Sequence, residues 1–340
     1  MYQSRSPGVS CLAFLLVSFC AHAQQPTPAV SKLAIVESHK IWDGAPHNAF
    51  TDLLRYKDAW ICVFRESSAH VPGTNGVIRV LRSKDTKNWE SVAAVTENGV
   101  DLRDPKVSVA PDGRLMLLAG GSLYDGEDGQ PKRKLVGART RVFFSTDAAT
   151  WSVPSVVDLP DREWLWRVTW YEGTAYGVSY STGSERKFVA SLWKSQDGVH
   201  YEKVVQLDPP CSPSETTLRF EPDGTMLALV RGEQPDRHNA LGRSAPPYQA
   251  WNWIDTSRPA HGPDFIRRAD GAWLYAGREY EGGVKTVVGE LRDGVCVPLV
   301  MLPSGGDCSY PGLAWDGEEL LVCYYSSHEG KTSIYLARLK

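Results

Sequence analysis

The amino-acid sequence predicts an all-β protein, a six-bladed β-propeller whose ring is closed by a strand from the N-terminal side. Three observations lead to this prediction. A tight polar turn recurs six times between short apolar runs, a Ser-x-Asp-x-x-x-aromatic segment recurs three times, and the last repeat is one strand short. Internal repeats of about 40 to 50 residues are typical of propeller blades, each of which is a four-stranded sheet.

The composition agrees with a globular β protein and argues against several functions. The 340 residues include 37 Lys and Arg against 40 Asp and Glu, so the formal net charge is −3. This balance argues against a nucleic-acid binder with a basic surface and against a polyacidic tail. With 30 Gly, 22 Pro, 12 Trp and 14 Tyr, the chain is too rich in turn residues for a helical protein and too aromatic for a disordered one.

The first 23 residues are typical of a secretory signal peptide. Arg5 supplies the positive charge, residues 11–19 form an apolar run, and Ala21-His22-Ala23 is a small-x-small cleavage site. A lipid anchor at Cys20 is disfavoured because Phe19 is bulky, and the run is shorter than the roughly 20 residues that span a bilayer. We expect a secreted or periplasmic protein without membrane insertion, with residues 24–32 as a linker and residues 33–340 as a catalytic propeller.

Each predicted blade carries a tight turn between two of its strands. The turns lie 46 to 60 residues apart, and in five of the six an acidic residue precedes glycine, as in many hairpins. Short apolar runs such as Met226–Val230 and Leu320–Tyr325 follow the turns and are expected to be strands. The acidic residues of the six turns are Asp58, Asp112, Glu172, Asp223, Asp270 and Asp316.

A second repeated segment lies between the turns. Ser83–Trp89, Ser145–Trp151 and Ser195–Tyr201 share the pattern Ser-x-Asp-x-x-x-aromatic. The Ser and Asp side chains can bond the backbone of a tight turn while the aromatic ring packs beneath it. These segments are therefore expected to be stabilising turns at the outer edge of a blade, far from any chemistry.

The last blade is incomplete at the C-terminal end of the chain. Ser309–Trp315, Leu320–Ser326 and Thr332–Lys340 supply three strands, and Leu33–Glu37 is expected to add the fourth. Closing the ring in this way removes exposed sheet edges.

The cysteines and the known sequence motifs do not indicate a metal or a cofactor. Five cysteines follow the signal peptide, an odd number without CxxC spacing, which argues against a zinc site and a disulfide framework while leaving one disulfide open. The chain has no HExxH segment and no phosphate-cradling glycine loop. We expect no metal and no cofactor.

Charged and aromatic residues recur at strand ends that meet on one face of the predicted ring. Arg65, Arg231 and Arg278 lie seven or eight residues beyond the acidic residues of their turns, and equivalent positions in different blades predict a cluster. Clustered guanidinium groups bind carboxylate or phosphate in bidentate fashion. The starts of the first strands add further candidates, namely Asp52, Asp104, Arg167, Glu215, Asp264 and Tyr310.

These motifs resemble those of the sialidases, six-bladed exo-glycosidases that remove terminal sialic acids. The three Ser-x-Asp segments are similar to degenerate copies of that family's Asp-box. Ser214–Leu218, followed by Arg231, resembles the segment that holds the family's glutamate and a carboxylate-binding arginine. Arg278, in Leu274–Arg278, matches a further such arginine, and Ser309–Trp315 resembles the segment with the tyrosine nucleophile.

The resemblance implies a glycosidase whose nucleophile is Tyr310 and whose base is Glu215. A sialic acid carries a carboxylate on its anomeric carbon, so a neutral tyrosine hydroxyl avoids the repulsion that an anionic nucleophile would meet. Such a hydroxyl is a poor nucleophile without an adjacent base. Arg231 and Arg278 would hold the substrate carboxylate.

The chain departs from the family pattern in two places. Ala49 stands where the family's first arginine is expected, and Arg65 on the next strand is the candidate substitute. The family's acid aspartate is not evident in the loop after Arg65, where His70, with an ordinary pKa near 6.5, is the candidate acid. Four further charged residues lie at strand starts that face the predicted channel, and we expect them to contact the substrate: Arg167, Asp104, Asp52 and Asp264.

Three functions remain open from the sequence. The first is an exo-acting hydrolase of a sialic acid or another carboxylated terminal sugar. The second is a uronate-directed polysaccharide lyase that uses the same residues, and the third is a carbohydrate-binding propeller, which has no use for a Glu215–Tyr310 pair. We expect a glycan or oligosaccharide as the partner, no nucleic acid, and a monomer.

Overall fold

The structure is a computed structural model that describes residues 1–3, 32–71, 73–130, 132–182, 188–233, 235 and 237–340. Residues 33–340 form one compact unit. The expected signal peptide and linker lie almost entirely outside the described residues. Within the described part of the chain there are 24 strands, and no helix there is long and apolar enough to cross a membrane.

The strands follow one another along the chain without an intervening helix in the described ranges. In chain order they are β1 (Ile35–Trp42), β2 (His47–Tyr56), β3 (Ala59–Ser67), β4 (Val77–Ser83), β5 (Glu90–Val95), β6 (Val100–Val109), β7 (Leu115–Asp125), β8 (Lys134–Ser145), β9 (Ser155–Val156), β10 (Glu163–Tyr171), β11 (Thr174–Thr182), β12 (Phe188–Ser195), β13 (Glu202–Gln206), β14 (Pro213–Phe220), β15 (Met226–Gly232), β16 (Ala240–Ser244), β17 (Asn252–Asp255), β18 (His261–Arg267), β19 (Trp273–Glu279), β20 (Lys285–Arg292), β21 (Val295–Met301), β22 (Cys308–Asp316), β23 (Glu319–Ser326) and β24 (Ser333–Leu339).

The strands form six antiparallel four-stranded sheets, which are the blades of the ring. Five blades are consecutive, from β2–β5 to β18–β21, and the sixth is built from β22, β23, β24 and β1. The prediction of a six-bladed β-propeller closed by an N-terminal strand is confirmed. The closing strand is longer than expected, because β1 pairs with β24 from Ile35 to Trp42. A strand at the edge of a sheet pairs through its backbone groups alone. The polar residues after Glu37 can therefore continue the pairing of β1 with β24.

The predicted outer turns are formed largely by bonds inside each segment. In Ser145–Trp151, the Ser145 Oγ accepts from the N–H groups of Asp147 and Ala148 at 3.2 and 2.9 Å, and the Asp147 carboxylate accepts from the next two N–H groups. The Trp151 ring N–H donates back to the Ala148 carbonyl at 2.9 Å. The same Ser and Asp bonds occur in the other two segments, so the structural role predicted for them is confirmed.

Apolar side chains of neighbouring blades pack face to face around the ring. Cys62 and Cys323 belong to this core, fully buried, with their sulfurs 3.0 Å apart and not bonded as a disulfide. All five cysteines of the described residues are free, so the disulfide that the sequence left open is not formed.

One irregularity recurs at the start of the inner strand of every blade. Two residues of the inner strand oppose a single residue of its neighbour, which is a β-bulge, in all six blades. The bulged pairs, which we call the bulge ring, are Phe50–Thr51, Asp104–Pro105, Trp166–Arg167, Ser214–Glu215, Gly262–Pro263 and Tyr310–Pro311. The first residue of four pairs has positive φ: Phe50 (64°), Asp104 (47°), Gly262 (64°) and Tyr310 (51°).

Candidate functional site

The bulge ring brings together the residues from which the site is built. A β-bulge turns a side chain away from the regular alternation of the strand, and bulges are frequent beside active sites. Tyr310, Glu215 and Asp104 come from three different blades and occupy equivalent bulged pairs. The sequence therefore identified the right strand starts, and the bulges explain why their side chains meet.

Tyr310 and Glu215 form the centre of the site together with Arg231. The Tyr310 hydroxyl donates to Glu215 Oε1 at 2.7 Å. Arg231 Nη1 lies 3.0 Å from the Tyr310 oxygen and 2.8 Å from Glu215 Oε2, so one guanidinium nitrogen contacts both groups. Arg231 also forms an ion pair with Glu233, whose Oε1 lies 2.9 Å from Nε. A hydroxyl, a carboxylate and a guanidinium are thus in direct contact.

The electrostatics of this group favour a neutral tyrosine beside an ionised carboxylate. Burial, with the Glu215 charge added to it, holds the pKa of Tyr310 well above its ordinary value. Burial alone would raise the pKa of Glu215, but the Arg231 charge and the hydrogen bonds from Arg231 and Tyr310 hold it below its ordinary value. Glu215 is therefore arranged as a proton acceptor for the Tyr310 hydroxyl.

Gly262 makes room for the Tyr310 ring. A Cβ atom at this position would lie 2.8 Å from the ring carbon Cγ of Tyr310, closer than real side-chain contacts allow. The Gly262 N–H also donates to Glu215 Oε2 at 3.0 Å. One glycine thus permits the close approach of the tyrosine and helps to hold the glutamate.

Arg278 lies over the ring of Tyr310. Its guanidinium carbon is 5.4 Å from the centre of the Tyr310 ring, and its Nη2 donates to the Tyr325 hydroxyl at 3.0 Å and to the Cys308 carbonyl at 2.6 Å. Asp307 Oδ1 lies 3.6 Å from the same nitrogen. Two partly exposed arginines, Arg231 and Arg278, therefore flank the tyrosine as the sequence predicted, although each has an anionic neighbour.

Asp104 is the second carboxylate near Tyr310. Burial raises its pKa, the Arg103 charge opposes that shift, and the Glu215 charge adds to it. Its charge adds to burial and to the Glu215 charge in raising the pKa values of Tyr310 and Tyr180. Within the described residues its carboxylate has no hydrogen-bond partner.

His70 lies at the rim and is bound to Asp307. The sequence offered it as the candidate acid, and the structure places its Nδ1 2.8 Å from Asp307 Oδ2. Its ring packs edge-on against Phe50, which in turn packs edge-on against Tyr310, with ring centres 5.1 and 5.2 Å apart. His70 therefore belongs to the site but is separated from Tyr310 by an aromatic ring.

Arg65 does not point into the mouth of the ring. Its side chain is 1 % exposed, and its Nε and Nη2 both donate to Asp101 Oδ1, at 2.9 and 2.8 Å. Its Nη1 donates to the carbonyl of Ala69. The guanidinium thus holds the following loop, and its assignment to substrate binding remains a sequence-based prediction.

Asp52, Arg167 and Asp264 are bound to one another in the central channel. Arg167 Nη1 lies 3.0 Å from Asp52 Oδ1, and its Nη2 lies 3.5 Å from Asp264 Oδ2. Arg219 completes the network, with its Nη2 2.5 Å from Asp264 Oδ1. Asp52 also accepts the N–H of Val107 from the next blade. These contacts join blades, and the assignment of the three residues to substrate binding also remains a prediction.

A cavity of about 270 Å³ opens beside Trp164 and Tyr180. Trp164 and Tyr180 form its aromatic wall and pack against the core cluster that contains Tyr310. Flat aromatic faces beside hydrogen-bonding groups are typical of pockets for small polar molecules such as sugars. The cavity is lined by Leu135, Gly137, Ala138, Arg162, Trp164 and Tyr180.

Sequence reasoning missed Asp307, Gly262 and Phe50. Asp307 precedes β22 in a loop without a repeat, so no pattern marks it. Gly262 and Phe50 could have been found, because they occupy the same position in their blades as Tyr310 and Asp104. Aligning the starts of the inner strands would have brought all four into one column.

Comparisons with solved structures support the fold. A Dyadobacter fermentans protein of unknown function is 18% identical over 92% of this chain and 100% of its own, with a TM-score of 0.78. Trypanosoma rangeli sialidase in complex with sialic acid is 8% identical over 92% of this chain and 58% of its own, at a TM-score of 0.64. A Fusarium graminearum α-L-arabinofuranosidase bound to an iminosugar inhibitor is 15% identical over 89% of this chain and 97% of its own, with a TM-score of 0.62.

These similarities establish a shared propeller fold. This chain spans little more than half the length of the sialidase that it matches. No protein-family profile and no curated protein matches the sequence.

Proposed function

We propose that the chain is an exo-acting glycoside hydrolase of the retaining type, with Tyr310 as nucleophile and Glu215 as its base. The observation that carries this proposal is the contact of the Tyr310 hydroxyl with Glu215 and Arg231, at 2.7 and 3.0 Å, at the mouth of a six-bladed propeller. A binding protein has no need for a base held against a buried hydroxyl. The fold shared with a sialidase and an arabinofuranosidase is consistent with this chemistry.

The reaction proceeds in two displacements. The Tyr310 oxygen bonds to the anomeric carbon while Glu215 takes the hydroxyl proton, and the glycosidic bond breaks as the leaving oxygen receives a proton from an acid. In the second step that group, now a base, takes a proton from water. The water oxygen displaces Tyr310, which recovers its proton from Glu215, so the configuration at the anomeric carbon is retained.

Asp104 is the better candidate for the acid. Burial and the Glu215 charge raise its pKa, which keeps a carboxyl group protonated at higher pH than usual, and it is free of hydrogen-bond partners in the described residues. His70, the candidate from the sequence, is bound to Asp307 at 2.8 Å and stands behind Phe50. The assignment to Asp104 therefore replaces that to His70 in this proposal.

A carboxylated terminal sugar, such as a sialic acid, is the substrate class that the two arginines favour. Arg231 and Arg278 flank the nucleophile, where a carboxylate on the anomeric carbon would lie. A neutral terminal sugar is the second candidate, because Glu215 and Glu233 already balance the charge of Arg231. The signal peptide that we expect from the sequence would be consistent with action on glycans outside the cytoplasm.

A glycan panel tests the reaction class with the full chain. Wild type and Tyr310→Phe are compared on sialic-acid-capped, uronate-containing and arabinose-capped glycans, with released sugar and the absorbance of unsaturated uronate read together. We expect release of a terminal sugar without new absorbance, abolished in Tyr310→Phe. Tyr201→Phe is the matched control, because the Tyr201 hydroxyl is buried in an outer turn without a partner in the described structure.

The other results would either contradict the proposed reaction or change its substrate. New absorbance would assign the protein to the lyases, and glycan binding without product would make it a binding propeller. Sugar release that persists in Tyr310→Phe would remove the tyrosine from the nucleophile's role. Release of arabinose but not of a carboxylated sugar would select the neutral substrate.

A further inference from the structure

Two histidines and one aspartate converge beside the proposed nucleophile. His47 begins β2, His70 lies in the loop after β3, and Asp307 directly precedes β22, so the three come from distant parts of the chain. His70 Nδ1 and His47 Nε2 lie 2.8 and 3.0 Å from the same oxygen, Asp307 Oδ2. The planes of the two rings are inclined to each other by 68°, with ring centres 5.4 Å apart.

The three ligand atoms fit one small cation. They all lie within 4.8 Å of one another, so a central ion could reach each of them after small side-chain movements. Two imidazole nitrogens and one carboxylate oxygen are a common ligand set for divalent transition metals when further coordination positions are left open. Within the described chain this is the group that meets the condition.

The surroundings orient the aspartate toward the histidines. The Tyr325 hydroxyl donates to Asp307 Oδ1 at 2.8 Å, and the Asp307 N–H donates to Ser327 Oγ at 2.9 Å. Oδ2 is thereby left facing the two rings. Hydrogen bonds of this kind to a ligating carboxylate are a regular feature of metal sites.

The exposed side of the group faces solvent at the mouth. The His70 side chain is 46 % exposed and that of Asp307 is 28 % exposed, whereas His47 is largely buried. Phe50 contacts both the His70 ring and the Tyr310 ring. Open coordination positions would therefore face solvent at the mouth, with Phe50 between His70 and the proposed nucleophile.

We propose that His47, His70 and Asp307 bind one divalent transition metal ion of the Zn²⁺ class, contrary to our expectation from the sequence. The open positions take water or oxygen atoms of a bound ligand. That these oxygens belong to the sugar rests on the function proposed above, whereas the binding of the metal does not.

The other His–Asp pairs of the chain provide a contrast. His200 lies 2.7 Å from Asp197 in an outer turn, with only two ligand atoms on an exposed surface. A metal ion there would gain two protein ligands instead of three, so we expect weaker binding. His200→Ala is therefore a matched control that removes a His–Asp contact without touching the proposed site.

The test is a calorimetric titration of the chelator-treated full chain with ZnCl₂. We expect one Zn²⁺ per chain in wild type and in His200→Ala, and binding at least about tenfold weaker in His70→Ala and in Asp307→Asn. Co²⁺ in place of Zn²⁺ should give a visible absorption band that the same two variants lack. Thermal unfolding without metal verifies that the variants fold, and His70 is the preferred target because it is exposed.

No saturable binding to wild type, or equal binding to His70→Ala, would overturn the metal site. Tyr310→Phe separates the two proposals, because it should bind Zn²⁺ normally while losing hydrolysis. An active Tyr310→Phe that binds Zn²⁺ would contradict the proposed function and leave the metal site standing.

Discussion

The outer turns and the bulge ring are both repeats, but they repeat different things. In the outer turns the residue types recur, with Ser and Asp at fixed positions and an aromatic ring beneath them. In the bulge ring the backbone irregularity recurs, whereas the first residue of the bulged pair is of a different type in every blade. The bonds of the outer turns close largely within seven residues, whereas the Tyr310–Glu215 bond joins residues 95 positions apart.

This difference separates what stabilises the fold from what performs chemistry. A repeated side chain satisfies the same local need in each blade, which is to pair the N–H groups of a tight turn. A repeated backbone with changing side chains presents a different group from each blade to one common point. Chemistry at the mouth therefore depends on departures from the repeat.

The largest expected effect comes from the base in the bulge ring. Glu215→Gln should lower kcat/KM by about 10²- to 10⁴-fold, because the amide cannot take the Tyr310 proton. The measurement is steady-state kinetics on the substrate identified by the panel. Glu233→Gln is the matched control, since Glu233 pairs with the same arginine but does not contact Tyr310, and equal losses in the two variants would mean that only the Arg231 pairing matters.

Two glycines with the same backbone conformation should respond differently in the two regions. Gly262→Ala places a Cβ 2.8 Å from the Tyr310 ring and should cost about 10²-fold in kcat/KM through misplacement of the nucleophile. Gly317→Ala, in a hairpin turn with φ of 62° and no atom near its Cβ, should cost about 1 kcal/mol of stability and no activity. Kinetics and urea unfolding of both variants provide the measurement, and unchanged kinetics of Gly262→Ala would refute its role.

Removing one outer-turn serine should affect stability alone. Ser145→Ala leaves the N–H groups of Asp147 and Ala148 without their acceptor, and we expect a loss of about 1–3 kcal/mol in the free energy of unfolding. Ser91→Ala, on an exposed outer strand where the hydroxyl accepts one hydrogen bond from Arg79, sets the scale for the loss of a single surface bond. A lower kcat/KM of Ser145→Ala, measured where the variant is fully folded, would show that the outer turns also affect the chemistry.

The smallest expected effect is a displacement of the pH profile. The acid must be protonated, so activity falls as pH rises through the pKa of Asp104, which burial raises above the ordinary carboxyl value. The base must be ionised, so activity falls as pH drops through the lowered pKa of Glu215. The aspartates of the outer turns should not contribute, because hydrogen bonds from backbone N–H groups lower the pKa of Asp147.

Two variants decide which residue is the acid. Asp104→Asn should remove the alkaline limb of the kcat/KM profile, and His70→Gln should retain it. The reverse result would assign the proton to His70, as the sequence first indicated.

Much of the fold was predictable because its determinants are local. The Asp-Gly turns and the Ser-x-Asp segments close bonds over a few residues, so their spacing alone indicated blades and ring. The strand starts that carry Tyr310 and Glu215 were found for the same reason. The extent of β1 was underestimated, because backbone pairing at a sheet edge leaves little trace in the side chains.

The contacts of the site were not predictable to the same degree. Arg65, Arg231 and Arg278 are equivalent by position in the sequence, yet Arg65 is buried against Asp101 while the other two flank Tyr310. Asp307 carries no pattern, and its contacts come from blades at opposite ends of the chain. The direction and burial of these side chains depend on residues that are distant in the sequence and become neighbours only when the ring closes.

By itself the sequence determined the number of blades, the closing strand, the outer turns and the strand starts that hold the candidate residues. Only the tertiary structure decided which of those residues contact one another and which form ion pairs with each other inside the channel. It also added Gly262 and Asp307 to the site. The physical reason is the range of the interactions involved. The backbone groups of a turn find hydrogen-bond partners within a few residues. The charged side chains at the mouth of the propeller pair with residues that lie far away along the chain.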